Sequence, residues 1–143
     1  MSRKAPASRA EFIAWRTMTT RWADNDAYGH VNNTVYYEWF DSAVNAWMVD
    51  QGMLDIANSD PIALVVETRC TYAAPLEFPQ AVQVGLAVAE LGRSSIRYRI
   101  GIFAEGSESA AAEGDFVHVV VDRATRRPAE IPIAWREKLG KIS

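Results

Sequence analysis

The sequence predicts an α+β domain in which an antiparallel five-stranded sheet wraps around one long central helix. A broad apolar stripe with helical spacing follows residue 33, and segments with alternating apolar residues lie after it. Short polar connections separate these segments, as is typical of hairpins between antiparallel strands. A sheet that covers a single helix satisfies this order of elements.

The central helix is the clearest element. Its apolar residues recur in adjacent pairs every four positions, namely Val35, Tyr36, Trp39, Phe40, Ala43, Val44, Trp47 and Met48. Asn32 or Asn33 can cap its N-terminus, and Gly52 can end it. Because the stripe is broad and rich in aromatic rings, we expect the helix to be largely buried.

Five segments favour strands. β-branched and aromatic residues indicate the first, and period-two alternation or apolar runs indicate the others. The segments are 12–22, 62–72, 81–91, 96–102 and 116–121. We expect hairpin connections at 91–94 and 105–108, and a short final helix at 133–139.

Length and composition limit the function classes. The 143 residues fit a single domain at 11–143, which we expect to follow a flexible N-terminal tail at 1–10. A net charge of −3 provides no basic field for nucleic acid, and a single cysteine excludes an internal disulfide. No apolar run suits a membrane span or a signal peptide, so we expect a cytoplasmic protein.

Chemically reactive side chains are concentrated directly before the helix, at Asp24, Asp26, His30, Asn32 and Asn33. A helix N-terminus presents unpaired amide hydrogens that can hold a developing oxyanion. A carboxylate one turn upstream could attack a carbonyl or activate water. Turn formation and helix capping explain the same residues equally directly, so the residues alone leave both interpretations open.

Residues 24–33, read with 36–43, resemble the signature of the 4-hydroxybenzoyl-CoA thioesterase group of hotdog proteins. That signature is an Asp-x-Asp, a glycine three positions later and an aromatic-rich helix. Residues 67–76 resemble the family's second strand, and residues 119–128 with 131–132 resemble its closing strand. The resemblance therefore implies a hotdog fold and an acyl-CoA thioesterase.

The resemblance also implies roles for individual residues. The second Asp of the family pair falls on Asp26, as nucleophile or general base, and the amide that polarises the thioester carbonyl falls on Asn33. His30 falls on the catalytic His of the acyl-carrier-protein thioesterases, but Tyr28 stands where that branch has Asn. His30 is therefore either a catalytic helper or a loop residue, and Tyr28 and Gly29 are expected beside the substrate.

The resemblance further implies a pantetheine-linked substrate bound between subunits of a homodimer or homotetramer. Coenzyme A belongs to the substrate, so no separate cofactor is implied. Arg93, Arg97, Arg126 and Arg127 could bind its phosphates, or could simply keep the surface soluble. Glu67 is a further acidic candidate, with ion pairing to Arg69 as the alternative. No spacing of ligand residues indicates a metal site.

Two other functions remain open. Hotdog hydratases that act on enoyl thioesters have an acid five residues before a His, but here Asn25 stands five before His30. The missing acid disfavours a hydratase. The second alternative is an acyl-CoA-binding module that keeps the fold without turnover.

Overall fold

The computed structural model describes residues 5–143, which form one five-stranded sheet and two α-helices. The strands are β1 (Ala14–Thr19), β2 (Ile62–Tyr72), β3 (Ala81–Leu91), β4 (Ser95–Ala104) and β5 (Ala112–Val121). The helices are α1 (Asn33–Asp50) and α2 (Ile133–Gly140), and short 3-10 helices lie at Arg9–Glu11 and Trp22–Asp24. The predicted α+β class, with one long helix and a five-stranded antiparallel sheet, is confirmed.

Every neighbouring pair of strands is antiparallel, and the order across the sheet is β1-β3-β4-β5-β2. Short connections place β3, β4 and β5 side by side, whereas β2 lies at the far edge, next to β5. Of the two edge strands, β2 has eleven residues and β1 has six.

The core lies between α1 and the inner face of the sheet. Along β4, Ile96, Tyr98, Ile100 and Ile102 point inward and are buried, as expected for a strand with one covered face. On α1 the buried side chains are those of the predicted stripe, apart from the half-buried Trp47. The helix is therefore buried by the sheet on its apolar side, as its sequence pattern predicts.

One glycine is required where two strands approach closely. A Cβ at Gly114 of β5 would lie 1.7 Å from the carbonyl oxygen of Arg69 in β2. No side chain fits at that distance, so glycine permits the two strands to pair at this point.

The first strand is shorter than predicted, because residues 20–22 leave the sheet and Trp22 begins a 3-10 helix. The described part of the predicted tail also differs from expectation. Ala7 is 2% exposed and its amide donates to Glu113 at 2.7 Å. The Arg9 guanidinium lies over the rings of Trp15 and Phe103, on the outer face of the sheet. Packing thus extends back to Ala7, and the remainder of the predicted tail, residues 1–4, lies outside the described residues.

No helix within residues 5–143 combines the length and the apolar character needed to cross a membrane.

Candidate active site

The loop before α1 is a small hairpin spanning residues 25–31. Asn25 and Val31 form an antiparallel bridge, and the Asp26 amide donates to the His30 carbonyl at 2.9 Å. The Gly29 amide donates to the Asp26 carbonyl at 3.1 Å, and Gly29 has φ +81°. This is the pattern of a three-residue hairpin loop that ends in a left-handed residue, a conformation glycine adopts without steric cost.

The hairpin is fixed to the rest of the protein through the chain segment that follows β2. The Val31 amide donates to the Leu76 carbonyl at 2.8 Å, and the Phe78 amide donates to the Asn25 side chain at 3.0 Å. The ring of Phe78 also packs edge-on against Trp22, with centroids 5.9 Å apart. Both ends of the hairpin are therefore positioned by residues 76–78.

Asp24 is a structural carboxylate. It is 1% exposed and accepts three hydrogen bonds from Arg21, from the backbone amide at 2.8 Å and the guanidinium at 2.9 and 2.6 Å. Its backbone carbonyl accepts the Asn32 amide at 2.8 Å. A carboxylate that is buried and paired in this way holds the loop against the start of α1, but it has no free face for a substrate.

Asp26 differs because it borders an open groove. One carboxylate oxygen accepts the Tyr28 amide at 2.8 Å, and the other has no hydrogen-bond partner within residues 5–143. The groove has a volume of about 370 Å³ and is lined by Asp26, His30, Val31, Asn33, Tyr36, Tyr72, Ala73, Ala74 and Pro75. The amide contact orients the carboxylate while one oxygen remains available.

The N-terminus of α1 forms another wall of the same groove. Asn32 caps the helix, because its side-chain oxygen accepts the Thr34 amide at 3.0 Å, which confirms one of the two predicted caps. The Asn33 amide, the first of the helix, has no acceptor within the described chain. An unpaired amide at a helix N-terminus can donate to an oxyanion, and the helix dipole adds to that stabilisation.

Two tyrosines close the groove on the side of β2. The Tyr72 hydroxyl donates to the Asn33 carbonyl at 3.1 Å, and its ring packs edge-on against Tyr36, with centroids 4.9 Å apart. Burial raises the pKa of Tyr36 to about 12, so its hydroxyl stays neutral. These contacts tie the end of β2 to the first turn of α1, next to Asp26.

Taken together, the groove brings a carboxylate, a helix N-terminus and an exposed imidazole to one place. His30 is exposed and is among the residues that line the groove, and no group within residues 5–143 forms a hydrogen bond with its ring. These three groups suit nucleophilic attack on a polarised carbonyl. No cluster of three metal-ligating side chains occurs within the described residues.

Tyr28 and Gly29, expected beside the substrate, contribute through their backbone. The Tyr28 side chain is 85% exposed, and neither residue is among those that line the groove. The Tyr28 amide orients Asp26, and Gly29 permits the turn that makes this contact possible.

Glu67 lies away from the groove, on the outer face of the sheet. Its carboxylate lies 3.3 Å from Arg97 of β4, whereas Arg69 pairs with Asp115 of β5. The predicted ion pair between Glu67 and Arg69 is therefore wrong. Arg69 lies directly opposite Asp115 on the adjacent strand β5. Glu67 and Arg97 both lie opposite Val117 of β5, one on each side of it, so the long Arg97 side chain reaches Glu67 across that strand.

The predicted phosphate-binding arginines lie at the opposite end of the sheet from Asp26 within the same chain. Arg93 is in the β3–β4 hairpin, and Arg126 and Arg127 are in the turn after β5. Within that turn the Asp122 carboxylate accepts two backbone amides, and Arg126 adopts the left-handed conformation with φ 64°. None of these three arginines forms an ion pair within residues 5–143. Arg97, the fourth candidate, lies on β4 and pairs with Glu67, Glu90 and Asp115 instead.

Some residues of the groove are not identifiable from their chemistry alone. Tyr36 and Tyr72 read as core and strand residues, and Ala73, Ala74 and Pro75 carry no reactive group. The sequence signal for these residues is the resemblance of residues 67–76 to a family motif. That resemblance indicates a family strand but no role in the active site.

Comparison with known proteins identifies the architecture. The model of the thioesterase-like superfamily matches residues 20–139. The PA5185 protein from Pseudomonas aeruginosa strain PAO1 is 45% identical, with 98% of this chain and 97% of that chain covered and a TM-score of 0.93. The PA2801 protein from Pseudomonas aeruginosa, provisionally named a thioesterase, is 29% identical, with 90% and 98% covered and a TM-score of 0.83. No curated protein matches the chain.

A more distant structure shares the fold. The 1,4-dihydroxy-2-naphthoyl-CoA thioesterase Slr0204 from Synechocystis has a TM-score of 0.78, with 88% of this chain and 94% of that chain covered. Its identity is 18%, so the likeness concerns the fold alone. The sheet wrapped around α1 is the hotdog fold that the sequence resemblance implied.

Proposed function

Because the chain belongs to the thioesterase-like superfamily, we propose that it hydrolyses an acyl-CoA thioester to a carboxylic acid and coenzyme A. Asp26 is the nucleophile or general base of this reaction. The N-terminus of α1, with the Asn33 amide, is the oxyanion hole. The single observation that carries the proposal is the groove in which an oriented carboxylate with one free oxygen borders the first amides of a helix.

The reaction requires a nucleophile on the thioester carbon and a place for the negative charge on its oxygen. Along one route the Asp26 oxygen attacks, the carbon–sulfur bond breaks, coenzyme A leaves as thiolate, and water then cleaves the mixed anhydride. Along the other route Asp26 removes a proton from the attacking water. In both routes the carbonyl oxygen becomes an oxyanion, which the Asn33 amide and the helix dipole stabilise.

We also propose that two copies of the chain associate through β2. This strand is an edge with free backbone hydrogen-bonding groups, and its residues Leu64, Val65 and Val66 are exposed. Long exposed edges of this kind are normally covered. Antiparallel pairing of β2 with its own copy about a two-fold axis covers both edges and gives the homodimer, from which a tetramer is a further step.

Such a pairing supports the predicted role of the arginines. A two-fold axis through β2 places the Ile62 end of one strand near the Tyr72 end of the other, because the strands run in opposite directions. The turn that carries Arg126 and Arg127 adjoins the Ile62 end, since Ile62 pairs with Val121. The second subunit's arginines, with Arg93 nearby in the next hairpin, thus face the phosphates of coenzyme A at the Asp26 end.

This role of the arginines predicts a difference between substrates. Charge reversal of both Arg126 and Arg127 to Glu should raise the KM for acyl-CoA by about tenfold or more, because a phosphate contact is replaced by repulsion. The KM for the same acyl group on pantetheine, which lacks the phosphates, should change much less. Equal changes for the two substrates would remove the arginines from phosphate binding.

The activity itself is tested by steady-state release of thiol from a panel of acyl-CoAs. We expect Asp26→Asn to lower turnover by roughly 10²-fold or more without loss of folding, as is typical for a removed catalytic group. Asp50→Asn is the matched control, since Asp50 is an exposed carboxylate at the other end of α1. Unchanged turnover of Asp26→Asn would remove Asp26 from its role, and binding without turnover across the panel would favour the acyl-CoA-binding module.

A further inference from the structure

Two buried polar side chains beneath α1 each have a polar atom without a hydrogen-bond partner in the described part of the chain. Tyr98 of β4 is 0% exposed and His118 of β5 is 1% exposed, and their ring centroids are 5.8 Å apart. Neither the Tyr98 hydroxyl nor the His118 Nδ1 forms a hydrogen bond within residues 5–143. Buried polar atoms are nearly always paired, because an unpaired one loses its hydrogen bonds to water without replacement. Two such atoms on neighbouring rings indicate a position suited to a polar group that residues 5–143 do not supply.

The surroundings determine which polar group suits this position. Aromatic rings pack against the pair. The ring centroids of Phe116 and His118 are 4.9 Å apart, and those of Trp47 and Tyr98 are 6.5 Å apart. Burial lowers the pKa of His118 to about 4, so the imidazole is neutral near pH 7. A neutral imidazole and a phenol together offer both donors and acceptors. They suit an uncharged oxygen, either a hydroxyl or a carbonyl, rather than an ion.

A row of inward-facing side chains on β2 extends from the groove at Asp26 toward the strand segment opposite this pair. The inward-facing side chains of β2, at Tyr72, Cys70, Thr68 and Val65, are all partly or well exposed, so α1 leaves this side of β2 uncovered. We call these four residues the β2 strip. Tyr72 borders the groove at Asp26. At the other end Val65 lies opposite His118, and Thr68 lies opposite Phe116, the cross-strand neighbour of Tyr98. From Tyr72 to Thr68 the strip extends roughly 13 Å, at about 3.3 Å per residue.

We propose that Tyr98 and His118 are specificity-determining residues that bind an uncharged oxygen near the far end of the substrate's acyl group. The acyl chain lies along the β2 strip, with its thioester at Asp26, so the inference rests on the proposed thioesterase function. A substrate with a hydroxyl or oxo group at the right distance satisfies both buried atoms. An unsubstituted chain of equal length leaves them unpaired, and discrimination of this kind is strong.

The test measures binding, so that it does not depend on turnover. Dissociation constants are determined by calorimetry on Asp26→Asn for a series of saturated acyl-CoAs and their ω-hydroxy counterparts of equal length. At the best-fitting length we expect the hydroxylated ligand to bind at least about tenfold more tightly. Introducing Tyr98→Phe or His118→Leu should bring the ratio of the two dissociation constants, saturated over hydroxylated ligand, close to one. Each substitution removes a hydrogen-bonding atom.

Two further variants separate recognition from general damage to the core. His118→Asn should preserve much of the preference, since its side-chain amide keeps a polar atom near the position of Nδ1. Val84→Ala removes buried apolar volume from β3, on the far side of the core from the β2 strip, and should lower the melting temperature without changing the ratio.

Three results would overturn the proposal: equal binding of the paired ligands at every length, a preference that survives both Tyr98→Phe and His118→Leu, or no binding of any ligand in the series. Failure of the proposed function has a different signature. In that case the wild-type protein would release no thiol from any acyl-CoA, although the hydroxylated ligand could still bind more tightly through Tyr98 and His118.

Discussion

The two halves of the loop before α1 contain the same functional group in opposite states. In the first half, residues 21–25, the carboxylate of Asp24 is buried and fully engaged by Arg21. In the second half, residues 26–30, one carboxylate oxygen of Asp26 accepts an amide, the other has no hydrogen-bond partner within residues 5–143, and the residue lines an open groove. The two Asp residues of the motif therefore have different roles. Asp24 stabilises the loop, and Asp26 is available for chemistry.

The largest expected effect on stability follows from this division. Asp24→Ala removes three charge-assisted hydrogen bonds and a buried side chain, so we expect a loss of about 3 kcal/mol in the free energy of unfolding. Denaturant titration measures it. Asp26→Ala, made in parallel, should lose less than about 1 kcal/mol, because its single side-chain hydrogen bond is exposed. Equal losses of unfolding free energy in the two variants would contradict the assignment of a structural role to Asp24 alone.

A second prediction concerns the pH dependence of stability, which we assign to the core rather than to the loop. Burial lowers the pKa of His118 to about 4, below its value of about 6.5 in the unfolded chain, so unfolded protein binds the extra proton. Its contribution to stability is therefore complete above about pH 6.5 and is lost as the pH falls.

Between roughly pH 6 and pH 4 this single group should lower the free energy of unfolding by about 2 kcal/mol. Urea titrations at the two pH values measure the loss, and His118→Leu is the comparison because it cannot titrate. The variant should show a loss smaller by about this amount. A loss equal to that of the wild type would assign the titration to another group.

The smallest expected effect belongs to His30. Its ring is exposed and has no hydrogen-bond partner within residues 5–143, so no second group fixes its orientation. We expect His30→Ala to lower kcat/KM for acyl-CoA by less than about tenfold, compared with roughly 10²-fold or more for Asp26→Asn. If His30→Ala instead matches Asp26→Asn, the imidazole is an essential member of the site and the second half of the loop has two catalytic groups.

Much of the fold could be predicted because its signals are local. The α1 stripe and its Asn32 cap depend on residues within a few turns of one another, and β2 and β3 end at the predicted residues. The start of the packed chain was missed because Ala7 and Arg9 are held by distant partners, Glu113 and the aromatic rings of the outer sheet face. Such contacts leave no periodic pattern in the sequence.

The site was predictable to a smaller extent. The segment around Asp26 could be chosen by its density of polar residues and by family resemblance, but its two Asp residues have the same chemistry. Only the fold decides that Asp24 meets Arg21 in a buried position and that Asp26 meets the groove. The partner of Glu67 was missed for a similar reason, since two registers, of β2 with β5 and of β4 with β5, together bring Arg97 within reach of it.

The most direct test of the account compares Asp24→Asn with Asp26→Asn in the same assay. Thiol release from the best acyl-CoA of the panel is measured at a temperature at which circular dichroism confirms that both variants are folded. The account predicts that Asp26→Asn loses roughly 10²-fold or more in kcat with an almost unchanged melting temperature, whereas Asp24→Asn melts earlier and keeps most of its kcat. A folded Asp26→Asn with wild-type kcat would contradict the central claim that this carboxylate carries the chemistry.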